Sequence, residues 1–210
     1  MAERTRPPRR DAVVNRERLL AAAGQLFAER GLSVPLEEIA RRSGVSIGTL
    51  YNHFPTREAL FEAIYPERIA ALDTLAEAAL ADPDPWSGFR SFLVRTFALQ
   101  AADRGLNEVM TLRYPAAPQL TEACDRGYAQ VGTIIERAQR AGVLRPDFTL
   151  PDLACLIWAT SRVIAATADA APDAWRRYVD LQLDGLRAEA AHPLSAPAMT
   201  TEQLAASMRA

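Results

Sequence analysis

Apolar residues recur every three to four positions along most of the chain, which is the spacing of amphipathic helices. A first helix is predicted over about 13–30, and Gly31 ends it. Pro35 opens a second helix at its first turn, where a missing N–H costs nothing. Thr56 caps a long helix that runs to about residue 80. No strand-like alternation interrupts this series, so the predicted fold class is all-α.

Further helical patterns follow a Pro-rich break at residues 82–85. They are predicted over about 86–103, 106–113, 118–141, 150–168 and 174–190. Together with the short helix described next, the chain should contain about nine helices. Their broad apolar faces are sufficient to build a substantial second bundle behind the first three helices.

The stretch 44–54 has the features of a short, surface-presented helix. Gly44 can end the preceding helix in a left-handed turn, and Ser46 is a good N-cap for a helix that begins at Ile47. The side that should pack carries Val45, Leu50 and Phe54, and the opposite side carries Gly48, Thr49, Tyr51 and His53. A helix with an anchored back and a small, polar front suits the DNA major groove. The alternative from spacing alone is a short core helix between two turns.

Charge is distributed unevenly along the chain. Residues 1–60 contain ten Arg and seven acidic residues, whereas the whole chain has a net charge of −2. A mildly basic N-terminal part on an acidic body is compatible with a polyanionic partner. We predict a flexible basic arm at 1–10, a DNA-binding domain at 11–58, a ligand-binding and dimerisation domain at 59–190, and a flexible tail at 191–210.

The sequence offers no pattern for catalysis, for a metal or for a cofactor. Cys124 and Cys155 are too few and too far apart for a disulfide framework, and we expect two reduced thiols. His53 and His192 have no metal-ligand spacing, and no nucleotide-binding Gly-rich loop occurs. No run of residues approaches the length of an apolar membrane span, and no apolar signal core follows the Arg-rich start, so we expect a cytoplasmic protein without a membrane partner.

The first sixty residues resemble the DNA-binding domain of the TetR family of transcriptional regulators. The resemblance rests on these segments in this order: 22–27, Gly31, Ile39-Ala40, Gly44-Val45-Ser46, 48–54 and 56–60. It covers somewhat more than a quarter of the chain, and the later helices match the family only in architecture. It implies a helix-turn-helix domain followed by a divergent helical domain that binds ligands and dimerises.

The resemblance also implies roles for particular positions. The residues aligned with DNA-facing positions are Ser46, Ile47, Gly48, Thr49, Tyr51, Asn52, His53 and Arg57. Tyr51, His53 and Arg57 would contact phosphates, with Ser46, Gly48 and Thr49 nearer the base edges. Two departures matter: Pro35 replaces a frequent Thr, and Ile47 replaces a frequent Lys or Arg, which favours a thymine methyl over a charged contact.

Aromatic and polar residues of the later helices are candidates for a ligand site. They are Trp86, Phe89, Phe92, Phe97, Met110, Tyr114, Tyr128, Trp158 and Arg162. Aromatics at helical spacing usually pack in the core, so we expect only some of them to line a cavity. Arg162, in an apolar helix, needs a partner and could orient an anionic ligand or pair across a dimer interface.

These observations lead to a homodimeric regulator, with the helices at about 152–168 and 174–190 as dimerisation elements. We expect a repressor that binds a pseudo-palindromic operator and is released by a small molecule. The alternatives are an activator, a ligand-binding protein of the same fold without operator-specific regulation, and an enzyme built on a helical bundle. Nothing in the sequence recommends the enzyme.

Overall fold

The computed structural model describes the chain from Arg9 to Met208. Helix α1 spans Arg9–Arg30, α2 Leu36–Ser43 and α3 Ile47–His53. The predicted arm at 1–10 lies outside the described residues except for its last two, which begin α1. Gly31 and Gly44 have φ of 83° and 73°, so both helix ends use the left-handed conformation that glycine adopts without strain.

Seven further α-helices follow. They are α4 (Arg57–Ala81), α5 (Pro85–Ala102), α6 (Arg104–Val109), α7 (Pro118–Arg140), α8 (Leu150–Thr167), α9 (Ala174–Leu186) and α10 (Thr201–Ser207). Side-chain oxygens of Thr56, Asp84, Asp103 and Thr149 accept backbone N–H groups at the starts of α4, α5, α6 and α8. The described residues are otherwise turns, one 3₁₀ turn and an isolated bridge between Leu144 and Arg187. The all-α prediction is confirmed.

Helix α4 is the central element because it contacts both ends of the molecule. It packs along α5 and α7 and also touches α1 and α6. One continuous apolar core therefore runs from Leu19 in α1 to Leu183 in α9. The predicted domain boundary at 58/59 falls within α4, so the two predicted domains share this helix.

The C-terminal segment contains more structure than the loose tail predicted for 191–210. Helix α10 begins with a capping box in which Thr200 and Gln203 satisfy each other's backbone N–H groups. Leu204 and Met208 are buried against α8, and the Met208 carbonyl accepts the Arg113 N–H at 3.0 Å. Only two apolar side chains anchor this helix, which is too few for a recognisable periodicity.

Helix α8 corrects the expectation about membrane-length segments. By length and composition Leu150–Thr167 could cross a membrane, with a mean hydropathy of 1.2. The helix is nevertheless a core element whose inner face packs against α5, α6, α7 and α9. The buried Ser161 carbonyl accepts a hydrogen bond from the Asn107 side chain at 3.2 Å, whereas the Thr160 hydroxyl is buried without a partner among the described residues. The apolar composition therefore reflects burial within the bundle.

Candidate functional site

The short helix α3 is held from behind by two buried side chains. Leu50 and Phe54 are 0% and 2% exposed, and they pack into the core shared with α1 and α2. Arg16 of α1 lies over the Phe54 ring, 5.4 Å from its centroid. The turn before α3 is closed by Val45 N–H, which donates to the Ala40 carbonyl at 3.1 Å. The orientation of α3 is thus fixed by contacts on one side only.

The opposite side of α3 is open to solvent and carries small or polar groups. Ser46, Gly48, Tyr51 and Asn52 are exposed, and Ile47, Thr49 and His53 are half-buried. Tyr51 is 47% exposed, which is unusual for a large aromatic ring. The Ser46 Oγ accepts the Thr49 N–H at 3.1 Å and lies 2.9 Å from the Thr49 hydroxyl. The exposed surface is therefore preorganised by an N-cap at its first turn.

Arg57, at the start of α4, forms hydrogen bonds within the protein. Its Nη1 donates to the carbonyls of Leu32 and Val34, both at 2.6 Å. These carbonyls belong to the loop between α1 and α2. Arg57 therefore ties α4 to the loop that positions the helix-turn-helix, a role that the sequence did not suggest. Its predicted phosphate contact stays a prediction.

Helix α6 connects the N-terminal helices to the rest of the molecule. The Glu108 carboxylate accepts the Leu32 N–H at 2.9 Å, from the same loop that Arg57 holds. On α4, Arg68 pairs with Asp103, the N-cap of α6, and also donates to the Gly24 carbonyl of α1 at 3.1 Å. Charged side chains from α4 and α6 thus form hydrogen bonds to α1 and to the loop that follows it.

Helices α4, α5, α7 and α8 line an apolar cavity of about 60 Å³. Four of the nine predicted ligand residues line it: Phe92, Phe97, Met110 and Tyr128. The residues that the sequence did not single out are Ile69, Leu72, Leu93, Thr96, Cys124, Gly127, Gln130, Val131, Leu153 and Ile157. Most of these are ordinary helix-face residues, and no sequence signal separates a cavity wall from filled core.

The other five predicted ligand residues lie elsewhere. Trp86 packs against Phe89 and lies under the Arg187 guanidinium, and Phe89 also contacts Phe148. Tyr114 packs on Phe61, closer to the N-terminal helices. Trp158 and Arg162 border a shallow outer groove that Ser207 of α10 also lines. Arg162 is exposed to solvent, so it needs no buried partner.

The cavity wall contains polar atoms but no charged side chain. Within the described part of the chain, the Thr96 hydroxyl, the Tyr128 hydroxyl and the Gln130 Oε1 are buried without a hydrogen-bond partner. Burial raises the pKa of Tyr128 to about 12 and that of Cys124 to about 11. The site is therefore a low-polarity environment with unmet hydrogen-bonding capacity.

Helices α8 and α9 pack against each other and still present a second face to solvent. Trp175, Val179 and Leu183 of α9 are buried, whereas Leu181 is 58% exposed. On α8 the exposed positions include Cys155 and Arg162. One face of this helix pair thus belongs to the core, and the other is available for contact with another molecule.

No group of three or more His, Cys, Asp or Glu side chains in the region Arg9–Met208 is arranged to hold a metal ion.

Comparisons with known proteins agree with the helix-turn-helix geometry and extend it to the C-terminal helices. Residues 19–64 match the family model described as bacterial regulatory proteins, tetR family, and residues 84–188 match one described as the C-terminal domain of SbtR-like transcriptional regulators. The second match alone covers half of the chain.

Individual relatives give the same result. The HTH-type transcriptional repressor BepR of Brucella suis is 33% identical over 105 residues, 49% of this chain and 50% of that protein. The chain spans about half the length of the curated relatives it matches first. A crystal structure of a TetR transcription regulatory protein from Mycobacterium vanbaalenii is 34% identical, with a TM-score of 0.50, over 86% of this chain and 99% of that one. The TetR regulator SCO0520 of Streptomyces coelicolor is 31% identical, with a TM-score of 0.53, over 82% and 98%.

Proposed function

Because this chain belongs to the TetR family of bacterial transcriptional regulators, we propose that it is a homodimeric repressor that binds a pseudo-palindromic operator and is released by a small molecule. The observation that carries this proposal is α3. Its back is fixed by Leu50 and Phe54, and its exposed front carries the Tyr51 ring. The regulator acts on DNA, and we therefore place it in the cytoplasm, with no membrane partner and no enzymatic activity.

In this proposal each subunit inserts α3 into a major groove. Ser46, Ile47, Gly48 and Thr49 approach the base edges, and Tyr51, Asn52, His53 and Arg57 contact the backbone. Only His53 and Arg57 of these eight are basic, so much of the specificity comes from shape and apolar contact. Half-sites lie about one helical turn or somewhat more apart, because a rigid dimer sets their spacing.

A gel shift with the DNA upstream of the native gene tests the groove assignment. The double variant Thr49→Ala, Tyr51→Ala should lose roughly 100-fold or more in affinity, since the change removes contacts in both subunits. Thr133→Ala, an exposed threonine on α7, is the control and should bind like the unchanged protein. Equal binding by the double variant would contradict the groove assignment. The absence of any salt-sensitive specific shift would favour a ligand-binding protein without an operator.

The dimer is proposed to form through the outer faces of α8 and α9. Leu181 supports this proposal, because an aliphatic side chain that is 58% exposed gains by burial against a twin. Two such helix pairs related by a twofold axis form a four-helix bundle. Leu181→Asp should convert the dimer to a monomer in sedimentation velocity, whereas Val13→Asp, similarly exposed but on α1, should leave the dimer intact.

Release is proposed to act through α4. This helix contributes Ile69 and Leu72 to the cavity wall, and its first residue, Arg57, holds the loop before α2. Pro66 lies between these two ends and removes one helical hydrogen bond, which makes it a natural bending point. A ligand that binds more tightly to one orientation of α4 increases the population of that orientation. The distance between the α3 helices of the two subunits then changes.

A further inference from the structure

We propose that the cavity lined by α4, α5, α7 and α8 takes an uncharged, mainly apolar molecule that carries a hydroxyl or amide, and that this molecule enters by displacing Tyr128 together with α10. The inference rests on the proposed function only in assigning the effector to this cavity. It adds the chemical class of the effector and the element that must move.

The lining determines the charge of the ligand. Of the fourteen residues that form the wall, none is Asp, Glu, Lys, Arg or His. A bound carboxylate or ammonium would therefore lose its hydration without gaining a counter-charge from the wall, which is strongly unfavourable. The raised pKa of Tyr128, caused first by burial, reports the same penalty for an anion at this position.

The lining also determines what polar group the ligand should carry. The Thr96 hydroxyl and the Gln130 Oε1 are buried without a partner among the described residues. Gln130 Oε1 can only accept a hydrogen bond, whereas the Thr96 hydroxyl can donate or accept. A purely apolar ligand would leave these groups unmet, so an O–H or N–H on the ligand should improve binding.

The cavity is too small for an organic ligand unless part of its lining is displaced. At roughly 10–15 Å³ for each water, 60 Å³ holds only about four to six waters. An organic molecule of more than a few heavy atoms needs a wall that yields. Helical walls such as Leu93 and Leu153 are fixed in the core, each 1% exposed.

Tyr128 is the lining residue that can be displaced. It lines the cavity and also packs against the small cluster formed by Leu204 and Met208 of the C-terminal segment. That segment is held by few contacts: a seven-residue helix, two buried apolar side chains and the hydrogen bond from Arg113 N–H to the Met208 carbonyl. Moving Tyr128 outward therefore requires α10 to shift, and α10 is weakly anchored.

Three probes of equal chain length test the ligand class by isothermal titration at pH 7.5. They are 1-octanol, octanoate and octylammonium, and no DNA is present. We expect one 1-octanol to bind per chain with a dissociation constant below about 1 mM, and the two ions at least tenfold more weakly. Octanoate or octylammonium binding as tightly as 1-octanol would overturn the charge argument, and the absence of saturable 1-octanol binding would overturn the ligand class.

Two pairs of variants locate the site and the moving element. Gly127 lies on the wall, and a Cβ there meets nothing within 4 Å, so Gly127→Ala should bind 1-octanol normally whereas Gly127→Leu fills the space and abolishes binding. Leu204→Ala weakens the packing of α10 and should tighten 1-octanol binding roughly fivefold. The reason is that a larger fraction of the molecules then has α10 displaced, which is the state that binds the ligand. Leu194→Ala, exposed in the same segment, is its control.

Unchanged affinity in Leu204→Ala would overturn the role of α10, and binding that survives Gly127→Leu would overturn the location. Because all these measurements are made without DNA, their failure leaves the gel-shift result for operator binding unaffected. A failed gel shift, in turn, does not change the 1-octanol titration.

Discussion

Replacing Arg68 by Met tests whether the charged contacts of α4 hold the two halves of the molecule together. Arg68 pairs with Asp103 of α6, donates to the Gly24 carbonyl of α1 at 3.1 Å, and lies 5.4 Å from the centroid of the Tyr65 ring. Methionine keeps an unbranched apolar stem against that ring and removes only the guanidinium. The variant therefore isolates the charged contacts from the packing.

The expected loss follows from the burial of the pair. A hydrogen bond to a charged group contributes about 1.5–3 kcal/mol when it is well buried. The Arg68 and Asp103 side chains are 32% and 15% exposed, so solvent screening reduces this value. We expect Arg68→Met to lower the free energy of unfolding by about 2 kcal/mol, which moves a urea midpoint by roughly 1 M for a typical denaturant slope.

Arg104→Met is the matched control, because Arg104 also forms one ion pair with an aspartate. Its partner Asp169 is 93% exposed and Arg104 itself is 47% exposed, so the loss should stay within about 0.5 kcal/mol. Both variants must be compared at one protein concentration, since the proposed dimerisation would make stability concentration-dependent. Equal urea midpoints for Arg68→Met and Arg104→Met would refute the conclusion that the Arg68 contacts carry the coupling.

Four further substitutions have definite expected outcomes. Gly88→Ala would place a Cβ 2.3 Å from the Ala79 carbonyl oxygen and should cost about 2 kcal/mol or more in urea unfolding, whereas Gly127→Ala should gain about 0.5–1 kcal/mol. Arg57→Met removes two loop contacts and should cost about 1–2 kcal/mol by the same measurement. Burial raises the Cys124 pKa from 9.0 to about 11, so its stabilising contribution is full below pH 9 and is lost as pH rises through 11. Thermal melts between pH 9 and 11 should fall less steeply in Cys124→Ala, and parallel slopes would contradict this.

The order of α1 to α9 could be predicted from the sequence because these helices have a periodic apolar face or a strong start or stop signal, whereas α10 has too few apolar side chains to be recognised. Gly31 and Gly44 end α1 and α2 in the left-handed conformation that the pattern suggests. The front and back of α3 are likewise encoded in spacing: Leu50 is fully buried and Tyr51, one position later, is 47% exposed. These properties depend on residues that are close together in the chain, so they can be predicted from a single sequence.

The cavity could be predicted only in part because it depends on how distant helices meet. Phe92 and Phe89 are the same residue type on the same helix. Phe92 nevertheless lines the cavity, whereas Phe89 packs in the core against Phe148. Arg57 is a second case, since its loop partners lie more than twenty residues away in sequence. Only the packing of α4 beside the loop gives this side chain its structural role.

The contacts that join the cavity to the DNA-binding helices converge on a single residue, Leu32. From α4, Arg57 donates to the Leu32 carbonyl, and from α6, Glu108 accepts the Leu32 N–H. Both helices are coupled to the cavity region: α4 contributes Ile69 to its wall, and Met110, also on the wall, caps the end of α6. If a ligand moves α4 relative to α6, the two contacts on Leu32 cannot both keep their geometry.

The response to such a movement must then pass through the loop before α2, because that loop is held from both sides. Gly31, at its start, faces the Glu108 carboxylate so closely that a Cβ would lie 2.2 Å from Oε1. Because Arg57 and Glu108 hold this loop at Leu32 and Val34, α2 and α3 should move with it as one unit. Operator release would then depend as much on Glu108 and Arg57 as on the residues that touch the ligand.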